Sequence, residues 1–195
     1  MELRCAWVTK DPEYIEYHDK QWGRPVYDPR ELFAKLCLDG QQAGLSWITI
    51  LKRTESYYRA YADFDPVQIA RFDEQDVERL MQDSGIIRNR LKVQSIIRNA
   101  RAYLALQAQG IDFADYLWGF VGGAPIVHQR QGNGDIPATS PESDAMSKAL
   151  KKLGFNFVGS TICYAFMQAV GMVNDHLVSC PCHAECQKEQ QKKPD

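Results

Sequence analysis

Lys152-Leu-Gly-Phe-Asn-Phe-Val-Gly-Ser-Thr161 combines a helix stop, a short connection and a new helix start. Upstream, Met146, Ala149, Leu150 and Leu153 repeat at helical spacing behind a capping residue at Ser143, and Gly154 ends the run. Downstream, a last helix is predicted from about Ser160 towards Val173. Two helices joined by so short a connection make a hairpin. The amides of Gly159, Ser160 and Thr161 then lie free at a helix start, where an anion can sit. Lys151 and Lys152 stand beside them. A helix–hairpin–helix grips DNA phosphates in this way without reading bases. Many helical hairpins bind nothing, so the bare pattern leaves both readings open.

Working outward, nearly every other segment also reads as helix. Asp11-Pro12-Glu13 is a cap followed by proline at the first helical position, and it places Tyr14, Tyr17 and His18 on one face. Asp28-Pro29-Arg30-Glu31 reads as a capping box that starts a helix with Leu32, Phe33 and Leu36 inward, ending at Gly40. Asp65-Pro66 and Asp73 open two short helices, the second closing near Gly85. Arg90 to Gln107 is one long helix, and Phe113, Tyr116, Leu117 and Phe120 form another stripe. Residues 122–141 form a long loop. No stretch alternates like a sheet strand, and the fold class read from the sequence is all-α.

With 195 residues and 45% apolar side chains, the chain can bury a core as one domain, read as residues 1–186 with two helical lobes allowed. The polar, charged end over 187–195 predicts a disordered tail. The first residues lack the apolar run of a signal peptide, and no stretch has the length to span a bilayer. A cytoplasmic protein with no membrane partner is expected. Nothing marks an oligomer face, so monomer is the default. The six cysteines, at 5, 37, 163, 180, 182 and 186, then read as core thiols or metal ligands rather than disulfides. A net charge of −2 hides segregation: 84–111 and 145–174 contain no acid, whereas 63–83 carries seven. Such faces can meet a polyanion, but solvated helix surface is the commoner meaning.

Four soft ligands are split between the chain ends. Cys5 and His18 lie near the start, His176 and Cys180 near the finish. Two such pairs complete a closed, tetrahedral Cys2His2 zinc site that ties down both termini. Cys182, His183 and Cys186 are rival ligands, and unrelated residues are as good a reading of the pattern. Trp7, Tyr14, Tyr17, Trp22, Tyr27 and Trp47 crowd the first fifty positions. Aromatics at helical spacing are usually core, yet indoles and phenols carry polar atoms that suit a cage for a flat, cationic ring. Asp39 sits where the helix dipole disfavours a carboxylate, which hints at a role or at a tolerant neighbour of Gly40. Gly44-Leu45 puts an apolar side chain on a permissive backbone, as either a wedge into a base stack or a buried turn.

Taken together, these residues resemble the DNA-3-methyladenine glycosylase I family. The matching strings are Cys5-x-Trp7, Tyr14-Ile-x-Tyr-His-Asp19, Gln21-Trp-Gly23, Gly40-Gln-Gln-Ala-Gly-Leu-Ser-Trp-Ile48, Ser84-Gly-Ile-Ile-Arg88, Phe157-Val-Gly159 and Val173-Asn-Asp-His176. They span Cys5 to Cys180. The resemblance implies a helix–hairpin–helix DNA glycosylase fold with one structural Zn2+ on Cys5, His18, His176 and Cys180. It implies a base pocket of Trp7, Tyr14, Tyr17, Trp22 and Trp47, with Trp47 stacking on the base. Gly44 and Leu45 would probe the duplex, and Gly159, Ser160 and Thr161 would meet phosphates. Where the family has glutamate, this chain has Asp39, one methylene shorter, as the carboxylate that bonds the flipped base.

The implied reaction is repair of double-stranded DNA containing alkylated adenine, releasing free 3-methyladenine and leaving an abasic site. No lysine marks itself as a Schiff-base nucleophile, so a monofunctional hydrolase is expected. Two other classes compete. One is a zinc-stabilised, non-enzymatic DNA-binding module whose aromatic cage is closed core. The other is a metallohydrolase, which needs an open metal position that four protein ligands would close.

Overall fold

A computed structural model describes residues 3–190. Helices dominate it, in the order α1 (Pro12–Lys20), α2 (Pro29–Gln41), α3 (Trp47–Leu51), α4 (Thr54–Ala60), α5 (Pro66–Ala70), α6 (Glu74–Met81), α7 (Arg90–Ala108), α8 (Phe113–Trp118), α9 (Pro141–Lys152), α10 (Ser160–Ala169) and α11 (Pro181–Gln190). The predicted aspartate starts are present. Asp11 accepts from the Glu13 amide at 3.0 Å and Asp28 from that of Arg30 at 2.9 Å, each with proline at the first turn. No described helix is long and apolar enough to cross a membrane.

Helix α2 is the centre of the molecule. Leu32, Phe33 and Leu36 are fully buried, and α7, α8 and α10 pack around it. A second, smaller apolar cluster gathers Cys5, Tyr17, Trp22, Leu177 and Cys180, bringing the two chain ends together.

Several expectations change. Helix α2 runs through Gly40 to Gln41, because Lys92 Nζ donates to the carbonyls of Gln41 (2.8 Å) and Ala43 (2.6 Å) and so satisfies its last turn. Gly40 has a different use: a Cβ there would lie 3.0 Å from the Phe157 carbonyl oxygen, so glycine lets the hairpin reach α2. The cap of α9 is Ser140, whose Oγ accepts from the Ser143 amide at 3.1 Å. Ser143 answers as the third helical residue, its Oγ accepting from the Ser140 amide at 2.8 Å.

The long loop contains a strand. β1 (Ile126–Val127) pairs in parallel with β2 (Val173–Asn174), Ile126 opposite Val173. Two-residue strands are too short for alternation to show in sequence. A further helix follows the predicted last one, which itself stops at Ala169. α11 continues through Gln190, past the boundary expected at 186, and residues 191–195 of the predicted tail lie outside the described residues. Arg24 holds this helix from outside, donating to Glu185 at 3.0 Å and to Glu189 at 2.5 Å.

Part of the charge segregation is answered within the fold. Arg90 pairs with Glu74 (3.2 Å) and Glu78 (2.7 Å), and Arg101 donates to the carbonyls of Ala70 and Phe72 at 3.1 Å. The acidic block and the first basic run therefore face each other.

Candidate functional site

A cavity of 250 Å³ opens between α1, the C-terminal end of α2, α3 and α10. All five aromatics expected of a cage line it: Trp7, Tyr14, Tyr17, Trp22 and Trp47. Tyr27 does not; it stacks on Trp118 at 4.6 Å. Trp7 meets Tyr14 at 55° and Trp22 at 65°, so it is stacked flat on neither. The rings pack tilted and edge to face along one wall of the cavity.

Asp39 lines the same cavity and is 2% exposed. Its Oδ1 lies 3.4 Å from Lys35 Nζ, one turn back on α2. Its Oδ2 is buried and, among the described residues, has no partner; the same holds for the indole Nε1 of Trp47. A buried acceptor and a buried donor without partners, on two residues that line one cavity, are candidates for a ligand's own polar edge. Burial pushes the Asp39 carboxyl up to about 6, against the opposing pull of Lys35. Burial pulls the Lys35 ammonium down to about 8, with Asp39 opposing.

Lys35 is the residue that sequence reasoning missed. Its ammonium also donates to Tyr17 Oη at 2.9 Å and lies 3.4 Å over the Trp47 ring. The lysine-to-aspartate spacing of four was visible, but such pairs usually sit on solvated helix faces. Gln42 and Gln168 also line the cavity. Gln42 was within the quoted string, while Gln168 carried no signal, because only the return of α10 brings it there.

Behind the cavity, Cys5, His18, His176 and Cys180 are all buried, and their ligand atoms lie within 4.8 Å of one another. Cys5 Sγ is 3.5 Å from His176 Nδ1, and Cys180 Sγ is 3.7 Å from His18 Nε2 and 3.8 Å from His176 Nδ1. Metal bonds of about 2.0–2.3 Å in a tetrahedron imply ligand edges of about 3.3–3.8 Å, so the donor set fits such an ion. The outer ring nitrogens are engaged as a ligand's should be. His176 Nε2 donates to the Trp22 carbonyl at 2.8 Å, and His18 Nδ1 donates to Asp19 Oδ1 at 2.7 Å. Arg4 fixes that carboxylate in turn, at 2.9 Å. Of the rivals, His183 Nε2 is used by the His128 carbonyl at 2.7 Å. Cys182 forms a second possible group with His18 and Asp19, whereas Cys186 joins none among the described residues.

Asp175 is wholly buried beside His176. It accepts from Tyr164 Oη and from Gln168 Nε2 at 3.0 Å, His128 Nδ1 at 2.6 Å and Arg130 Nε at 3.1 Å. It ties the long loop, α10 and the wall residue Gln168 together.

Two outward features remain. Gly44 has φ of +78°, a conformation that suits glycine, and Leu45 beyond it is 40% exposed. The loop is held by Gln42 Nε2 on the Leu45 carbonyl (3.3 Å) and by Lys92 on that of Ala43. On α9 and α10 the hairpin is present, with Gly159 as a cap that offers no side chain and Lys151, Lys152 and Thr161 exposed. Ser160 Oγ is engaged at the surface, donating to Asp144 Oδ1 at 2.5 Å.

The chain is similar to known proteins along nearly its whole length. The family model described as methyladenine glycosylase matches residues 7–183. DNA-3-methyladenine glycosylase 1 of Escherichia coli (strain K12) is 57% identical over 180 residues, covering 92% of this chain and 96% of that one. A crystal structure of 3-methyladenine DNA glycosylase I superposes with a TM-score of 0.92 at 57% identity, covering 93% of this chain and 100% of the other. A structure of a tyrosine-to-phenylalanine variant of such an enzyme, in complex with 3-methyladenine, superposes with a TM-score of 0.87 at 41% identity, over 91% and 96% of the two chains. A match over residues 7–183, with a relative 57% identical over nearly the whole chain, places this chain in the methyladenine glycosylase family.

Proposed function

We propose that this chain is a monofunctional DNA-3-methyladenine glycosylase of base-excision repair, with Asp39 as the carboxylate that holds the flipped base. The observation that carries the assignment is the pair of buried, unpartnered polar atoms, Asp39 Oδ2 and Trp47 Nε1, on residues that line an aromatic cavity. A purine edge offers both donors and acceptors to such a pair.

Methylation at N3 makes the adenine cationic in the DNA, so its glycosidic bond is weak and the base departs neutral. The protein has to extrude the base, orient it and hold it as the bond breaks. Trp47 and Trp7 provide flat apolar walls, Asp39 and Tyr14 the polar edge, and water attacks the sugar. Unmodified adenine is refused because its bond is too strong for such modest help. Leu45 on its glycine hinge would enter the stack, and the amides of Gly159, Ser160 and Thr161 would seat on phosphates.

Cys5, His18, His176 and Cys180 would hold one Zn2+, which would cross-link the chain ends and supply no step of the reaction, since four protein ligands close its shell. Lys35 is no Schiff-base candidate, because it stands behind Trp47 and does not line the base cavity. A non-enzymatic DNA-binding module would bury the cage as closed core, which an open cavity of 250 Å³ disfavours. The test is chromatography of free bases after incubation with N-methylated duplex DNA. Release of 3-methyladenine with 7-methylguanine retained supports the assignment; no release from folded, zinc-replete protein overturns it.

A further inference from the structure

Trp47 and Tyr17 are a wall shared by two cavities, the 250 Å³ base cavity and a 540 Å³ space behind it. Lys35 lines only the second. Its ammonium is therefore fixed against the far face of the indole, 3.4 Å from the ring centroid, by Tyr17 Oη at 2.9 Å and Asp39 Oδ1 at 3.4 Å. This has two consequences. Asp39 is held by one oxygen, which restrains its shortened side chain and leaves Oδ2 without a partner among the described residues. The electron-rich face of Trp47 also already serves one cation, so a second cation stacked on the opposite face meets a like charge across the ring.

Given the glycosylase reading on which it rests, we propose that Lys35 is a positioning and specificity-determining residue that orients Asp39 and favours the departing base over the base still bonded to sugar. During excision the C–N bond breaks and its electron pair passes to the base, which turns from cation to neutral. Water adds to the sugar carbon and releases a proton to solvent. The charge facing Lys35 through Trp47 thus disappears as the reaction proceeds. An interaction that is worse with the reactant than with the transition state raises the rate of the chemical step without tightening substrate binding. Asp39 alone would do the opposite, holding the cationic reactant most strongly. With Lys35 beside it, the carboxylate keeps its directional hydrogen bond while its net charge is balanced.

The test is single-turnover excision from methylated duplex DNA by the wild-type chain, Lys35→Met and Lys35→Arg, with the saturating rate and the half-saturating enzyme concentration measured separately. Lys35→Met is expected to lower the saturating rate about tenfold while half-saturation stays the same or falls to lower enzyme, the signature of lost transition-state preference. Lys35→Arg should recover most of the rate, since a guanidinium can also stack on Trp47 and pair with Asp39. A wild-type saturating rate in Lys35→Met overturns the proposal, as does a loss that Lys35→Arg shares in full. Trapping of wild-type enzyme on DNA by borohydride would overturn it too, by making Lys35 or another amine a nucleophile. If methionine at this buried site unfolds the chain, Lys35→Gln carries the same comparison. Failure of the wild-type chain to release 3-methyladenine would instead overturn the glycosylase reading itself.

Discussion

The imidazole of His18 meets the indole of Trp7 edge to face, their centroids 5.2 Å apart, so a member of the Cys/His cluster also supports the aromatic cavity. His176 repeats the arrangement against Trp22 at 4.6 Å. The cluster and the cage share one structural wall. Stripping a bound metal should therefore loosen the cage as well as the termini. Chelation at neutral pH is expected to lower Tm by more than about 5 °C. It should also weaken the quenching of tryptophan fluorescence by free 3-methyladenine. A chelated protein that melts earlier yet binds the base unchanged would separate the two structures.

Gly23 sets the closeness of that wall. Its φ is +83°, and a Cβ would stand 2.9 Å from both Cδ2 and Nε2 of the His176 ring. Gly23→Ala should push that ring away from its partners, costing about 2–4 kcal/mol and most of the bound zinc. Metal content per chain, measured after gel filtration, checks it, and a full complement of zinc in the variant counts against it.

Removing the carboxylate tests its role directly. Asp39→Asn keeps the shape but leaves Lys35 facing an amide. Excision of 3-methyladenine is expected to fall by on the order of a hundredfold, with weaker affinity for the free base. Asp39→Ala should in addition cost about 3 kcal/mol of stability, because it leaves a buried ammonium without its counter-charge. Urea melts of the two variants distinguish these effects.

The pH profile should have two limbs. Asp39, raised to about 6 by burial, must be ionised to accept from the base, so the excision rate climbs as pH rises through about 6. Lys35, pulled down to about 8 by burial, loses its charge above that value, so the rate declines beyond it. The other titratable groups facing the pair, Tyr17 and Cys163, are both pushed upward by burial, the latter to about 12, and stay neutral in this window. The acid limb should vanish in Asp39→Asn and the alkaline limb in Lys35→Met.

Leu45→Ala probes the duplex side alone. Leu45 is exposed beyond Gly44 and does not line the base cavity. Excision from duplex DNA should drop about tenfold or more, while binding of free 3-methyladenine is unchanged. Loss of both would place Leu45 in the pocket architecture rather than at the DNA.

By itself the sequence determined the helical class, most helix starts and the membership of the cage and the Cys/His cluster. Aspartate–proline caps act within a turn, and the quoted strings carry their residues in fixed local order, so nothing distant is needed to read them. Tertiary structure alone decided what long-range packing controls. Helix α2 outruns Gly40 because Lys92, arriving on α7, caps its carbonyls. The strand Ile126–Val127 exists only because Val173–Asn174 returns beside it. The place of Lys35 behind Trp47 follows from α3 folding back over α2. A charge takes its meaning from the dielectric and the partners around it, and those belong to the assembled fold.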